Sequence, residues 1–215
     1  MDKLKKNKGY LAASLSHDLF TVETENRKYY GGSQNLYPSA KDRKRGCGIT
    51  GAADIIMYLK SLETGNYNYP LEEFIRLSEE LGNKYLPIIP GRGVNAFTLA
   101  WGLNRYFKKY GMKFRSRWKW TGFRKWKILE KMLREDIPVI IAIGNNFPIV
   151  WGKKTVGLYV KDGGKAGTEP AYRKVQNVFG HFVVATAIED NCLTVSSWGY
   201  KYYINIDEYK RYVLK

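Results

Sequence analysis

The chain has 215 residues, of which 44% are hydrophobic, and its formal net charge is +16. This length is typical of one domain, and the apolar content, with six Trp, seventeen Tyr and nine Phe, is enough for a hydrophobic core, which excludes a disordered chain. We find no apolar run long enough to span a membrane and no signal peptide. Two cysteines argue against a disulfide framework, so we predict a cytoplasmic protein.

Residues 46–59 set Cys47 between Gly46 and Gly48 at the start of a predicted helix. Apolar side chains recur there at helical spacing, namely Ile49, Ala52, Ala53, Ile56 and Leu59. The first turn of a helix exposes backbone N–H groups and the positive end of the dipole, which favour a thiolate and would stabilise a nearby oxyanion. The two glycines would let the backbone turn sharply and let a substrate carbonyl approach. Alternatively, Cys47 is a small buried hydrophobic residue.

The residues on either side of this stretch predict further elements. Residues 41–45 form a basic run that we predict to be a solvated loop, with a cationic lip beside Cys47 as the alternative. Helical periodicity predicts helices over residues 71–82, 94–110 and 122–136. Residues 112–120 alternate apolar with basic side chains, which predicts an amphipathic strand with a basic outer face. Residues 137–144 are the clearest buried strand.

The C-terminal part is predicted to form a β-hairpin. Residues 180–188 form an apolar strand with His181 at its start, Asp190 and Asn191 form the turn, and residues 192–199 form the second strand. A further strand over residues 202–204 and a helix over residues 206–212 end the chain. His181 follows Cys47 within the roughly 130 to 150 residues that separate the cysteine and histidine of papain-type enzymes.

These motifs together resemble the papain-like cysteine peptidase superfamily, nearest to the bacterial C39-like peptidase family. The similarity consists of Gly-Cys-Gly heading a helix, Gly-His on a strand, and Ser-Ser-Trp-Gly on the next strand, and the middle of the chain carries none of it. The resemblance implies a papain-like α+β fold, with N-terminal helices packed on a C-terminal antiparallel sheet. It also implies a thiol-dependent hydrolase, a cysteine peptidase or amidase, that acts on a peptide or amide without a cofactor.

The resemblance assigns Cys47 as the nucleophile and His181 as the general base. Papain-like enzymes carry Asn, and C39-like ones Asp, where this chain has Ser196 before Ser197-Trp198-Gly199. A serine hydroxyl brings no charge to stabilise an imidazolium. Three alternatives follow from this departure: modest activity with Ser196 as the third catalytic residue, orientation of the histidine by another group such as Asp190 or Asn205, or lost activity.

The oxyanion donor of this family is usually a glutamine a few residues before the cysteine. Here the nearest is Gln34, further upstream, and we expect its loop to fold back so that its side-chain N–H complements the backbone N–H of Cys47. The resemblance also implies that Gly180 and Trp198 line the cleft. We expect the Cys47 sulfur and an imidazole nitrogen of His181 to lie within about 4 Å of each other.

The net charge of +16 supports a hypothesis of another class, a scaffold or basic protein that binds nucleic acid or another polyanion. Phosphate contacts and stacking platforms would come from Arg115, Arg117, Lys119, Arg124, Lys125, Trp118, Trp120 and Trp126. The basic residues are spread along the chain and accompany no recognition motif. A zinc site from Cys47, Cys192, His17 and His181 matches no familiar ligand spacing, so we predict no metal. Our overall prediction is a single papain-like domain over residues 1–215.

Overall fold

The computed structural model describes residues 12–89, 93–119, 125–144, 155–162 and 171–213. Trp120 and Arg124, two of the predicted polyanion contacts, lie outside the described residues. The chain divides into two compact units: Met1–Asp18, Trp126–Ser197 and Lys201–Lys215 form the first, and Leu19–Lys125 with Trp198–Tyr200 form the second. This division does not test whether the chain folds as one domain, which stays a prediction.

Helices and an antiparallel sheet make the fold α+β, as the sequence predicts. The described strands are β1 Ala13–Ser14, β2 Thr21–Thr24, β3 Arg27–Tyr30, β4 Asn68–Pro70, β5 Val139–Ile143, β6 Val156–Lys161, β7 Tyr172–Val178, β8 His181–Glu189, β9 Cys192–Ser197 and β10 Tyr200–Asn205. The described α-helices are α1 Ala40–Arg45, α2 Cys47–Thr64, α3 Leu71–Glu80, α4 Ala96–Lys109, α5 Lys125–Arg134 and α6 Ile206–Val213. In the described residues, no helix has the length and apolar character needed to cross a bilayer.

The first unit is built on an antiparallel sheet in the order β1-β8-β9-β10-β6-β7, with β5 also paired to β8. Strand β8 lies inside this sheet, and its side chains from Val183 to Thr186 are all buried. Burial of successive residues on both faces explains why its sequence is a continuous apolar run rather than an alternating one. The β8–β9 hairpin confirms the prediction, because Glu189 pairs with Cys192 and leaves a two-residue turn.

The second unit is organised around α2, which has 18 residues, and every residue from Gly48 to Leu59 is buried. A helix that is apolar on all sides belongs in the interior, so α3 and α4 pack against it. It ends at Gly65, whose positive φ of 72° forms a left-handed C-cap. A small sheet in the order β3-β2-β4 completes the unit.

Two of the predicted elements are wrong. Residues 112–119 form no regular strand; their burial alternates as predicted, but the backbone of Ser116 hydrogen-bonds the side chain of Asn104 instead of a neighbouring strand. The basic run that we predicted to be a loop is helix α1, Ala40–Arg45. The first error arose because tertiary packing, rather than the alternating pattern of the segment, sets the partner of an extended chain.

Candidate active site

Cys47 is the first residue of α2, as the sequence predicts, and its side chain is half-buried. Gly46, the residue before it, is buried where α1 ends and α2 begins. A Cβ atom on Gly46 would overlap the Tyr37 ring and lie 2.5 Å from the Asp42 carbonyl oxygen. A glycine is therefore required at position 46, because the surrounding atoms leave no room for a side chain. This close packing fixes the backbone position at which Cys47 begins α2.

Tyr37 packs beneath the start of α2 and is held by hydroxyl groups. Its own hydroxyl lies 2.7 Å from Thr50 Oγ1, one turn after Cys47, and 3.3 Å from Ser78 Oγ. Burial raises the pKa of Tyr37 well above its usual value, and the nearby Asp54 and Cys47 raise it further. Tyr37 therefore stays protonated and supports the helix start as a hydrogen-bonded ring rather than as a base.

Gln34 lies in a 3-10 turn, Gln34–Leu36, with its side chain buried. Its Nε2 donates to the backbone carbonyl of Arg43, 2.7 Å away, in the helical turn that precedes Cys47. The Arg43 guanidinium in turn donates to the carbonyls of Tyr37 and Pro38 at 2.7 and 2.6 Å. The loop thus folds back against α1. A primary amide has two N–H bonds, so the contact with Arg43 accounts for one, and the oxyanion role of Gln34 stays a prediction.

Asp54 is a site residue that the sequence analysis missed. Its carboxylate is buried on α2, two turns after Cys47, and accepts the backbone N–H of Gly32 at 2.8 Å. A Cβ atom on Gly32 would overlap the Phe74 ring and lie 2.8 Å from Asp54 Oδ1. Asp54 therefore ties the loop that carries Gln34 to the helix that carries Cys47. The sequence did contain a signal for Asp54, because it is the one acidic residue within an apolar stretch of helix. An aspartate is rarely buried unless it is paired.

His181 is the first residue of β8, as predicted, and its imidazole is buried. Nε2 lies 2.7 Å from Ser197 Oγ on the neighbouring strand β9. Burial lowers the pKa of His181 to about 4, because a charged ring loses its hydration there. The imidazole is therefore neutral at neutral pH. Gly180 immediately before it has a φ of 61°, a left-handed conformation that favours glycine and turns the chain into β8.

The register of the hairpin explains why Ser197, rather than Ser196, meets the imidazole. Ser196 is paired with Val184, and side chains alternate between the two faces along a strand. His181 is an odd number of residues from Val184, so it faces the side opposite to Ser196 and the same side as Ser197. The Ser196 assignment stays a prediction, and the contact observed with the imidazole is made by the next residue, Ser197.

The other two proposed orienting groups lie at the far end of the hairpin. Asp190 follows the nine residues of β8, which span about 30 Å, so its carboxylate cannot reach the imidazole of His181. Asn205 ends β10 near the same turn, because the next amide, of Ile206, donates to the carbonyl of Asn191. The Asn205 side chain accepts the N–H of Glu208 at 2.9 Å and caps α6. Neither residue orients His181.

The first unit also contains a cluster of serine, histidine and aspartate, but the hydroxyl proton of the serine points toward the aspartate, which is the wrong direction for a nucleophile. Ser16 Oγ lies 2.8 Å from His17 Nδ1 and donates its own proton to Asp136. An activated serine must instead give its proton to the histidine. The cluster anchors the N-terminal segment, since the Ser16 amide also donates to Asp136 at 2.8 Å. This exposed cluster is structural.

The remaining predicted residues are distributed between the units. Gly48 is buried in α2, and Trp198, half-buried with a φ of 50°, belongs to the second unit with Cys47. His181, Ser196 and Gly180 belong to the first unit. The predicted approach of the Cys47 sulfur to His181 joins residues of different units and stays a prediction. Across the described ranges, no three His, Cys, Asp or Glu side chains form a metal-binding group.

Comparisons of the chain with protein-family models, with curated proteins and with solved structures found no match.

Proposed function

We propose that the chain is a thiol-dependent hydrolase with a papain-like fold, a cysteine peptidase or amidase that uses Cys47 as nucleophile and His181 as general base. The observation that carries this proposal is the buried, neutral imidazole of His181 with Nε2 at 2.7 Å from Ser197 Oγ. A histidine with one nitrogen fixed by a hydrogen bond presents the other in a defined tautomer. When Nε2–H donates to Ser197, the lone pair on Nδ1 is the base.

The chemistry would proceed by acyl transfer. Nδ1 of His181 takes the thiol proton as the sulfur of Cys47 attacks the amide carbonyl, and the developing oxyanion is held by the first-turn N–H groups of α2 with the second N–H of Gln34. The imidazolium then protonates the leaving amine. The neutral imidazole activates a water molecule that hydrolyses the thioester and restores the thiol. Ser197 stabilises the imidazolium as a dipole only, so we expect slower turnover than a carboxylate would support.

A fluorogenic peptide library with amide leaving groups tests the activity. We expect turnover that Cys47→Ala abolishes and that the matched control Cys192→Ala retains. Ser197→Ala should lower kcat with little change in KM, because Ser197 Oγ lies 2.7 Å from Nε2 of the imidazole, whereas Ser196→Ala, on the opposite face of β9, should leave kcat nearly unchanged. If Ser196→Ala lowers kcat and Ser197→Ala does not, Ser196 is the orienting residue.

A disulfide trap tests separately whether Cys47 and His181 share a site. His181→Cys in a Cys192→Ser background should form a disulfide with Cys47 under mild oxidation, detected by mass spectrometry after tryptic digestion. Glu189→Cys, at the other end of β8, is the matched control and should not cross-link. Failure of the His181→Cys trap refutes the proposed mechanism. A trap that forms without turnover of any substrate would instead indicate a papain-like scaffold retained for binding.

A further inference from the structure

The basic residues are spread along the chain, but the net positive charge is concentrated in one stretch that lacks acidic residues. Residues 81–129 contain twelve Lys or Arg and no Asp or Glu. The net charge of the whole chain is +16, so this stretch supplies most of it. An uninterrupted positive segment creates a field that attracts anionic partners. Part of this segment lies on the surface of the second unit.

Residues 112–119 run antiparallel to α4 as an extended chain. Phe114 contacts Phe107, Ser116 bonds Asn104 through both backbone groups, and the Trp118 ring lies 6.3 Å from that of Phe97. The helix rises about 15 Å between Phe97 and Phe107. The four residue steps from Phe114 to Trp118 cover about 13–14 Å when fully extended, so the segment must be close to fully extended, and the reach of the aromatic side chains supplies the rest.

The outer side of this segment is a row of cations, which we call the basic strip: Lys113, Arg115, Arg117 and Lys119. All four side chains are exposed, and the three residues between them are partly buried against α4. Within the described part of the chain, none of the four forms a salt bridge. Alternate residues of an extended chain lie about 6.6 Å apart, so the strip is a straight line of evenly spaced, uncompensated charges.

Aromatic rings are exposed beside the basic strip. Phe97 and Trp101 are 66% and 58% exposed, although large aromatic side chains normally contribute to the core. Trp101 is one helical turn from both Phe97 and Asn104, the residues that hold the segment, so it lies on the same face of α4 as they do. The Arg105 guanidinium stacks 4.7 Å from the Trp101 ring and 5.4 Å from that of Tyr85, which adds another cation and supports the exposed ring.

We propose that the basic strip and the rings of Phe97 and Trp101 bind single-stranded nucleic acid, independently of Cys47. Its phosphates would lie along the four cations and its unpaired bases would stack on the aromatic rings, the combination that characterises sequence-tolerant single-strand binding. An acidic peptide would use the charges, but its carboxylate side chains bring no flat rings for stacking, whereas every nucleotide brings both a phosphate and a base. A bilayer would use the rings, but the neighbouring Arg105 and the straight row of cations match a linear polyanion better than a planar surface.

Fluorescence anisotropy of a labelled single-stranded oligonucleotide of mixed sequence, titrated with the whole chain, tests the proposal. Each phosphate contact contributes about −0.7 to the slope of log K against log salt, so four contacts predict a slope of about −3. Arg115→Glu with Arg117→Glu should weaken binding at least about tenfold and make the slope shallower by about 1.4. The control, Lys131→Glu with Arg211→Glu, makes the same charge change on exposed residues of α5 and α6 and should retain most of the affinity.

The contribution of stacking is tested at Trp101. Trp101→Ala should weaken binding about tenfold, since stacking of one base is worth about 1–3 kcal/mol, whereas Trp101→Phe should restore most of it. A duplex of the same sequence should bind more weakly because its bases are already stacked. The proposal is overturned if duplex and single strand bind equally while Trp101→Ala has no effect, which would indicate simple attraction to any polyanion. It is also overturned if the chain sediments with phosphatidylserine vesicles but does not bind the oligonucleotide.

Discussion

His181 should make the stability of the protein depend on pH in a predictable direction. The pKa of the imidazole falls from an ordinary 6.5 in the unfolded chain to about 4 in the folded protein because the ring is buried. Between these two values the unfolded chain binds a proton that the folded protein does not, so acid stabilises the unfolded state. The contribution of His181 is therefore constant above pH 6.5, falls as the pH drops from 6.5 to 4, and is constant again below 4.

The magnitude follows from the two pKa values. Each pH unit of separation corresponds to about 1.4 kcal/mol, so a change from 6.5 to about 4 predicts that His181 lowers the free energy of unfolding by about 3 kcal/mol between pH 7 and pH 4. His181→Gln should remove this part of the acid sensitivity, because glutamine does not titrate and can still hydrogen-bond Ser197. After both proteins are referenced to pH 7, the free energy of unfolding of the variant at pH 4 should exceed that of the parent by about 3 kcal/mol.

Urea unfolding of both proteins at half-unit steps from pH 7 to pH 4 measures this difference. His17→Gln, which removes the exposed histidine instead of the buried one, is the matched control for the substitution itself. The chain has only two histidines, so an NMR titration of their ring protons measures the His181 pKa directly. Parallel pH curves for the parent and His181→Gln, or a ring that titrates near pH 6.5, would refute the claim that burial keeps this imidazole neutral.

Three further predictions concern α2, the helix that carries the proposed nucleophile, and the residues packed at its start. Iodoacetamide should alkylate Cys47 well before Cys192, whose pKa burial raises to about 12, and peptide mapping of the adducts checks the order; faster labelling of Cys192 would contradict it. Gly46→Ala should cost about 1–3 kcal/mol of stability through overpacking, measured by urea unfolding, and a neutral result would mean that the junction of α1 and α2 can relax. Asp54→Ala should cost about 1–3 kcal/mol by leaving the Gly32 amide unpaired, with Asp54→Asn as the milder control; equal costs for both would show that charge, rather than this hydrogen bond, matters.

The elements that position the two proposed catalytic groups could be predicted from the sequence because their signals are local. A glycine on each side of Cys47 and the apolar spacing after it predict a helix start at that residue, and α2 begins there. An apolar run followed by Asp190 and Asn191 predicts a hairpin with His181 at its beginning, and β8 and β9 have that form. Periodicity and turn residues act within a few positions of the chain, so no distant partner is needed to recognise them.

Contacts between distant segments could not be predicted, because they depend on register, burial and partner choice. The pairing of Ser196 with Val184 decides that Ser197 contacts the imidazole, and a shift of one residue would have reversed the faces. Burial, rather than any neighbouring residue in the sequence, lowers the pKa of His181.

The same limit applies to the loop around Gln34 and to the basic strip. The Gln34 side chain donates a hydrogen bond to the carbonyl of Arg43, and Asp54 accepts one from Gly32 in the loop before Gln34. The sequence spacing of these residues indicates neither bond. The alternating pattern of residues 112–119 determined which side chains face outward, but only the packed structure decided that α4 would be their support. A pattern sets the periodicity of a segment, whereas the groups that satisfy its backbone come from wherever the fold brings them.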